Sequence, residues 1–237
     1  MQLYLIRHAD PIYVPDTLTI KGRRQASALA QFLLREKPDR IFSSTSGRAK
    51  LTAQYTCDLL NMTPEPEDWM NEKYAIRSFC VCAPNGKRAW VFGRRRGQMY
   101  LPESESTPWD RWYDAPACAG MAQGDEGFER IKNASDEFLS RLGLHREGER
   151  YRASGTLPDK VAAFCHQGFG LTWLACLLSL PPTVVWRGMN LTHTGVTVLR
   201  FAPDEDGLYS VLLERLSDTA HLYLAEQELM YNNKTPI

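Results

Sequence analysis

The sequence predicts an α/β fold: a three-layer sandwich with a mostly parallel central sheet and helices on both faces. Two observations carry this reading. Short apolar runs of strand length alternate with longer segments of helical period, the pattern of βα units. Three of the runs also end directly in polar residues, as buried parallel strands do when they reach the edge of a sheet. With 237 residues, the chain is long enough to bury a sizeable core and reads as a single domain.

The elements follow in order. Leu3 to Ile6 is an apolar run of strand length. Thr19 is a fitting N-cap for a helix whose apolar face holds Ala26, Leu29, Ala30, Leu33 and Leu34 and which must end before Pro38. Arg40-Ile41-Phe42 is a second strand. A helix from about Gly47 to Asn61 should turn Leu51, Tyr55, Leu59 and Leu60 inward. Residues 63–124 are irregular and hold four of the six tryptophans, with an Arg94-Arg95-Arg96 run. That stretch is too long for a plain loop and reads as an insertion near the active site, with short elements of its own. Its Trp90, Trp109 and Trp112 are expected to anchor it.

Regular pattern returns at Asp125. Phe128, Ile131, Phe138, Leu139 and Leu142 share one helix face, and Gly143 is a natural stop. Val161 to Phe164 is a third buried strand. Gly168 to Ser179 is a strongly apolar helix closed by Pro181-Pro182. Val196 to Phe201 and Tyr209 to Glu214 are two further strands joined by a turn at 203–207.

Composition excludes several classes. Lys plus Arg equals Asp plus Glu at 28 each, so no global field favours nucleic acid or an anionic membrane. No apolar stretch approaches the length of a membrane helix, and no signal peptide precedes Arg7, so a cytoplasmic location is expected. The six cysteines form no Cys-x-x-Cys pair, and no carboxylate or histidine set resembles a metal site. No Gly-x-x-x-x-Gly-Lys-Ser/Thr stretch exists, which argues against a nucleotide triphosphatase. Neither metal nor cofactor is expected.

The chemistry should sit at the carboxyl ends of the strands, where open α/β sheets bind ligands. There the first strand delivers Arg7 and His8. The second delivers Ser43 and Ser44, with Arg48 in the first turn of the next helix, and the third delivers His166. Two arginines and two histidines brought together repel one another, and an anion relieves that repulsion. Arginine forks match phosphoryl oxygens, and neutral histidine has a lone pair that can attack phosphorus.

These residues also carry a resemblance. Leu5-Ile6-Arg7-His8-Ala9 resembles the Arg-His-Gly signature of the histidine phosphatase superfamily, which includes cofactor-dependent phosphoglycerate mutases. Leu18-Thr19, Gly22 and Gln25-Ala26 match that family's next stretch, and Ser43-Ser44 with Arg48 and Thr52-Ala53 its second arginine motif. Phe164-Cys165-His166-Gln167-Gly168 is similar to the segment bearing its second histidine. Together the motifs run in order from residue 2 to about 201. The resemblance implies that His8 is the phosphorylated nucleophile and that Arg7, Arg48 and His166 bind the transferred group. Ala9 and Gln167 stand where glycines are usual; Gln167 is either a phosphate ligand or a packing residue. The family's proton donor fits Glu72 best by spacing, with Glu65, Glu67 and Asp68 as rivals. The implied reaction is hydrolysis of small-molecule phosphate monoesters. A mutase is the second reading, disfavoured because Asp10-Pro11-Ile12-Tyr13-Val14 lacks the longer mutase pattern. A phosphate-binding regulatory domain is the third, disfavoured by the intact nucleophile.

Overall fold

The computed structural model describes residues 1–82, 86–100 and 109–227. It begins with β1 (Gln2–Arg7), a ribbon of β2 (Pro11–Ile12) and β3 (Thr17–Leu18), and α1 (Ile20–Glu36). Next come β4 (Arg40–Ser44), α2 (Gly47–Leu60), β5 (Glu65–Glu67) and α3 (Glu72–Phe79). A second ribbon, β6 (Cys80–Cys82) with β7 (Arg88–Trp90), leads into the short α4 (Val91–Arg94) and several 3-10 turns. Then follow α5 (Gly124–Arg141), β8 (Leu144–Glu147), β9 (Arg150–Ala153), β10 (Lys160–Cys165), α6 (Gln167–Leu177) and α7 (Pro182–Gly188). The last described elements are β11 (Val196–Pro203), β12 (Tyr209–Asp218) and α8 (Ala220–Leu224).

Eight strands form one sheet in the order β5-β4-β10-β1-β11-β12-β9-β8. The pairs from β5 to β1 are parallel, and those from β1 to β8 antiparallel. Alternate residues of β1 enter opposite layers. Leu3 and Leu5 pack with Phe138 and Trp173 on one side, Tyr4 and Ile6 with Leu29 and Leu33 on the other. Helices α5 and α6 cover the first face, α1 and α2 the second, which gives the three expected layers.

Register sets where the chemistry falls. Ile6 pairs with Phe164 and Phe164 with Ser43, so β1, β10 and β4 end at one level. Ile6 also pairs with Val196 at the start of the oppositely running β11. The loop entering β11 therefore reaches the same edge as the three carboxyl ends.

Several local expectations need correction. Helix α2 buries Ala49, Thr52, Ala53, Thr56 and Cys57 rather than its leucines, and Leu59 is 44% exposed. Small residues let α2 lie close against α1, which pushes its large side chains to the rim. Leu34 likewise lies on the outer side of α1. Glu65–Glu67 is an edge strand of the main sheet, and the hairpin β8–β9 and helix α8 carried no recognised pattern. In the segment rich in tryptophan, Trp112 is buried against Trp186, whereas Trp109 is 64% exposed and anchors nothing. Residues 83–85 and 101–108 of the expected insertion lie outside the described residues.

Candidate active site

The level strand ends bring Arg7, His8, Arg48 and His166 together, all largely buried. His8 leaves β1 with its backbone N–H donating to the Cys165 carbonyl at 2.9 Å. His166 is the N-cap residue of α6. The two imidazole centroids are 5.1 Å apart. Arg48 bridges them: Nε donates to His8 Nε2 at 3.3 Å and Nη2 to His166 Nδ1 at 3.1 Å.

These contacts fix both tautomers, because a guanidinium can only donate and a carbonyl can only accept. His8 Nδ1 carries its proton and donates to the Ala9 carbonyl at 2.7 Å, which leaves Nε2 with the lone pair. His166 Nδ1 holds the lone pair facing Arg48, and Nε2–H donates to Ser44 Oγ at 2.8 Å. Both rings are neutral. Burial, with the neighbouring cations, holds the pKa values of His8 and His166 well below the usual histidine range. Burial also lowers Arg7, to about 10, which keeps it charged at neutral pH. Its Nη1 donates to the Leu191 carbonyl at 2.6 Å.

Glu72 opens α3, and its carboxylate lies across the first turn of α6. Oε1 accepts from Gly168 N–H at 2.9 Å and Oε2 from Phe169 N–H at 3.0 Å. Burial raises its pKa above the usual carboxylate value, against the opposing pull of those amides, Arg48 and Arg7. The three rival acids are engaged elsewhere: Glu65 with Arg40, Glu67 with Arg141 and Trp69, and Asp68 with Thr45, Tyr74 and Lys73. Gln167 donates its side-chain amide to Asn190, whose Oδ1 also accepts from Leu191 N–H. Gln167 thus ties α6 to the loop that holds Arg7.

Three further residues lie near this centre, of which Asp16 and Tyr13 carried no sequence signal. Asp16 accepts from Gly47 N–H at 2.7 Å and from Arg48 Nη1 at 2.9 Å, so one carboxylate caps α2 and aims its arginine. The fit requires Gly47: a β-carbon there would lie 2.0 Å from the Asp16 carbonyl oxygen. Tyr13 stacks under Arg48, whose guanidinium carbon is 5.4 Å from the ring centroid. His193 is fully buried, its ring centroid 5.6 Å from that of His8 and Nδ1 3.6 Å from Asp10. The sequence favoured an ordinary loop histidine there, because β11 hides how near its entering loop comes.

Of the Arg94-Arg95-Arg96 run, Arg95 is structural, donating to the Ala117 and Ala119 carbonyls, whereas Arg94 and Arg96 are exposed. Trp90 lies against Gly168 so closely that a β-carbon there would meet its ring at 2.3 Å. Among the described residues no cluster of three or more His, Cys, Asp and Glu side chains could hold a metal ion. No helix among them is long and apolar enough to cross a membrane.

Known proteins are similar to this chain in sequence or in fold. The family "Histidine phosphatase superfamily (branch 1)" matches residues 3–75. Adenosylcobalamin/alpha-ribazole phosphatase of Salmonella typhi is 26% identical over 201 residues, covering 79% of this chain and 84% of that protein. A phosphoserine phosphatase from Entamoeba histolytica, solved with phosphoserine, shares the fold with a TM-score of 0.58 and 20% identity. The alignment covers 93% of this chain and 98% of that one. A mycobacterial glucosyl-3-phosphoglycerate phosphatase, solved with VO3, superposes with a TM-score of 0.62 and 19% identity. There the alignment covers 92% of this chain and 99% of the other.

Proposed function

We propose that this chain, which resembles the histidine phosphatase superfamily over residues 3–75, is a metal-independent phosphomonoesterase that carries the phosphoryl group on His8. The observation behind this is the hydrogen bonding of His8. Its Nδ1–H is committed to the Ala9 carbonyl, so Nε2 presents a lone pair between Arg48 and His166 at neutral pH. A nucleophile needs that state.

A phosphomonoester dianion entering this cluster takes over the donors of Arg48 and adds those of Arg7. Its negative charge raises the pKa of His166, which gains a proton at Nδ1 and donates to a phosphoryl oxygen. The guanidiniums stabilise the charge of the transition state, the task a magnesium ion performs in other phosphoryl-transfer enzymes. His8 Nε2 then forms the N–P bond as the ester P–O bond breaks, and the leaving alkoxide takes a proton from Glu72. In the second step Glu72, now ionised, removes a proton from water. The resulting hydroxide attacks phosphorus, the N–P bond breaks, and inorganic phosphate and neutral His8 are restored. Glu72 suits both steps: burial raises its pKa toward that of a proton donor, and the dianion would raise it further. The similar proteins are named for chemically different phosphate esters. Small phosphorylated molecules are therefore the substrate class.

Brief incubation with labelled substrate should leave acid-labile, base-stable phosphate on the wild-type protein and none on His8→Ala. Turnover should survive EDTA, and vanadate should inhibit. Label on serine, or strict dependence on an added divalent ion, would refute the mechanism.

A further inference from the structure

We propose that His221, on α8, is a positioning residue for phosphoryl transfer, seating the loop between Leu191 and Gly195 against His8 through Thr194. The proposal rests on the phosphatase reading above. His221 is 5% exposed, and its Nε2 lies 3.0 Å from Thr194 Oγ1. The direction of that bond is fixed. Thr194 has one hydroxyl proton, and Oγ1 donates it to the His193 carbonyl at 2.7 Å. Oγ1 must therefore accept from His221 Nε2–H.

Thr194 is a costly residue at its position. Its φ of 56° lies in the left-handed region, where a β-branched side chain is strained. Surrounding bonds hold it there. Its backbone N–H donates to the Arg7 carbonyl at 3.0 Å and lies 3.4 Å from that of His8. The loop touches the nucleophile's strand elsewhere too: Leu191 accepts from the Arg7 guanidinium, and the Gly195 carbonyl accepts from Arg7 N–H at 3.4 Å. His193, next to Thr194, packs its ring beside that of His8. The first part of the loop is fixed separately, by Gln167 through Asn190 and by Ser217 Oγ accepting from Thr192 N–H. Losing the His221 bond should therefore move Thr194 and His193 while leaving the Arg7 guanidinium in place. The nucleophile would lose alignment and the phosphate would keep its ligands.

The test compares first-turnover phosphorylation of His8 in three variants. His221→Phe keeps a ring against Phe32 but has no donor. His221→Gln puts an amide N–H near the place of Nε2. Thr194→Val keeps the branched shape without the hydroxyl. Misplacement of reacting groups by about 1 Å costs up to about 100-fold, so a partial shift should slow the burst roughly tenfold in His221→Phe, with KM within about twofold. Thr194→Val should match it, and His221→Gln should recover most of the rate. The double variant should be no slower than the slower single, because both remove one bond. A folded His221→Phe with the wild-type burst overturns the proposal, as do multiplying losses in the double variant. So does a lowered melting temperature with no change in burst. If His221→Phe fails to fold, Thr194→Val alone decides by the same readouts. A wild-type chain that forms no phosphohistidine overturns both this proposal and the reading beneath it.

Discussion

Replacing Glu72 by glutamine removes a transferable proton and also reverses one hydrogen-bonding site, and the structure gives the size of each effect. A carboxylate accepts two bonds at once, from the amides of Gly168 and Phe169 at 2.9 and 3.0 Å. Glutamine has one acceptor oxygen; its other arm is a donor that must face a donating amide. One buried N–H is left unpaired, at a cost of about 1–3 kcal/mol in stability. The kinetic effect depends on the leaving group. An alkyl alcohol departs as a strongly basic alkoxide, so losing the acid should slow His8 phosphorylation about 10²–10⁴-fold. A nitrophenolate leaves almost unaided, and its transfer should slow far less. The assay is the first-turnover burst with an alkyl phosphate and with nitrophenyl phosphate, since steady-state turnover also suffers the loss of the base that activates water. The wild-type burst with the alkyl ester should decline as pH rises through the elevated pKa of Glu72, and the variant should lose that decline. Equal losses for both leaving groups would show that Glu72 positions α6 rather than donating a proton, and no loss for either would remove it from the mechanism.

Two further outcomes follow from charge placement. Asp16→Ala removes the α2 cap and the partner that aims Arg48, so kcat/KM should fall about tenfold. Stability should fall by about 1 kcal/mol, read by kinetics and by denaturant unfolding. The buried His221 has a folded pKa lowered to about 4, chiefly by burial. The folded chain therefore binds fewer protons than the unfolded one below pH 6.5. Stability is intact above that pH and is lost as pH falls toward 4, by about 2–3 kcal/mol at pH 4.5 for this group. Urea unfolding at pH 7 and pH 4.5 should show a smaller difference in His221→Gln; an unchanged difference would refute the assignment.

Five of the eight sheet strands and the polar strand ends were legible because apolar periodicity is a local property, whereas the order of strands in the sheet was not. Arg7, His8, Arg48 and His166 each lie within four residues of a strand end. The resemblance singled out Glu72 among four nearby acids, and of the four its carboxylate alone accepts from the first turn of α6. Side chains that arrive from loops left no mark. Asp16 lies in the turn of a short ribbon, and nothing in the local pattern couples it to Gly47 some thirty residues on. His193, just before β11, reads in the sequence as a loop histidine because the strand-end rule searches carboxyl ends. Its loop enters the site at the amino end of a strand that runs the other way, and that direction depends on sheet pairing. The face of α2 was misread for a related reason. Helical period shows which residues share a side, while the closeness of α1 decides which side must be made of small ones.

The shared first turn of α6 has a mechanical consequence. His166 precedes that turn and Glu72 grips its amides, so the two side chains are gauged from one rigid element. Their separation does not depend on the outer parts of the segment that follows α3. Exchanging exposed positions there, such as Arg94, Arg96 and Trp109, should leave the spacing of His166 and Glu72 unchanged.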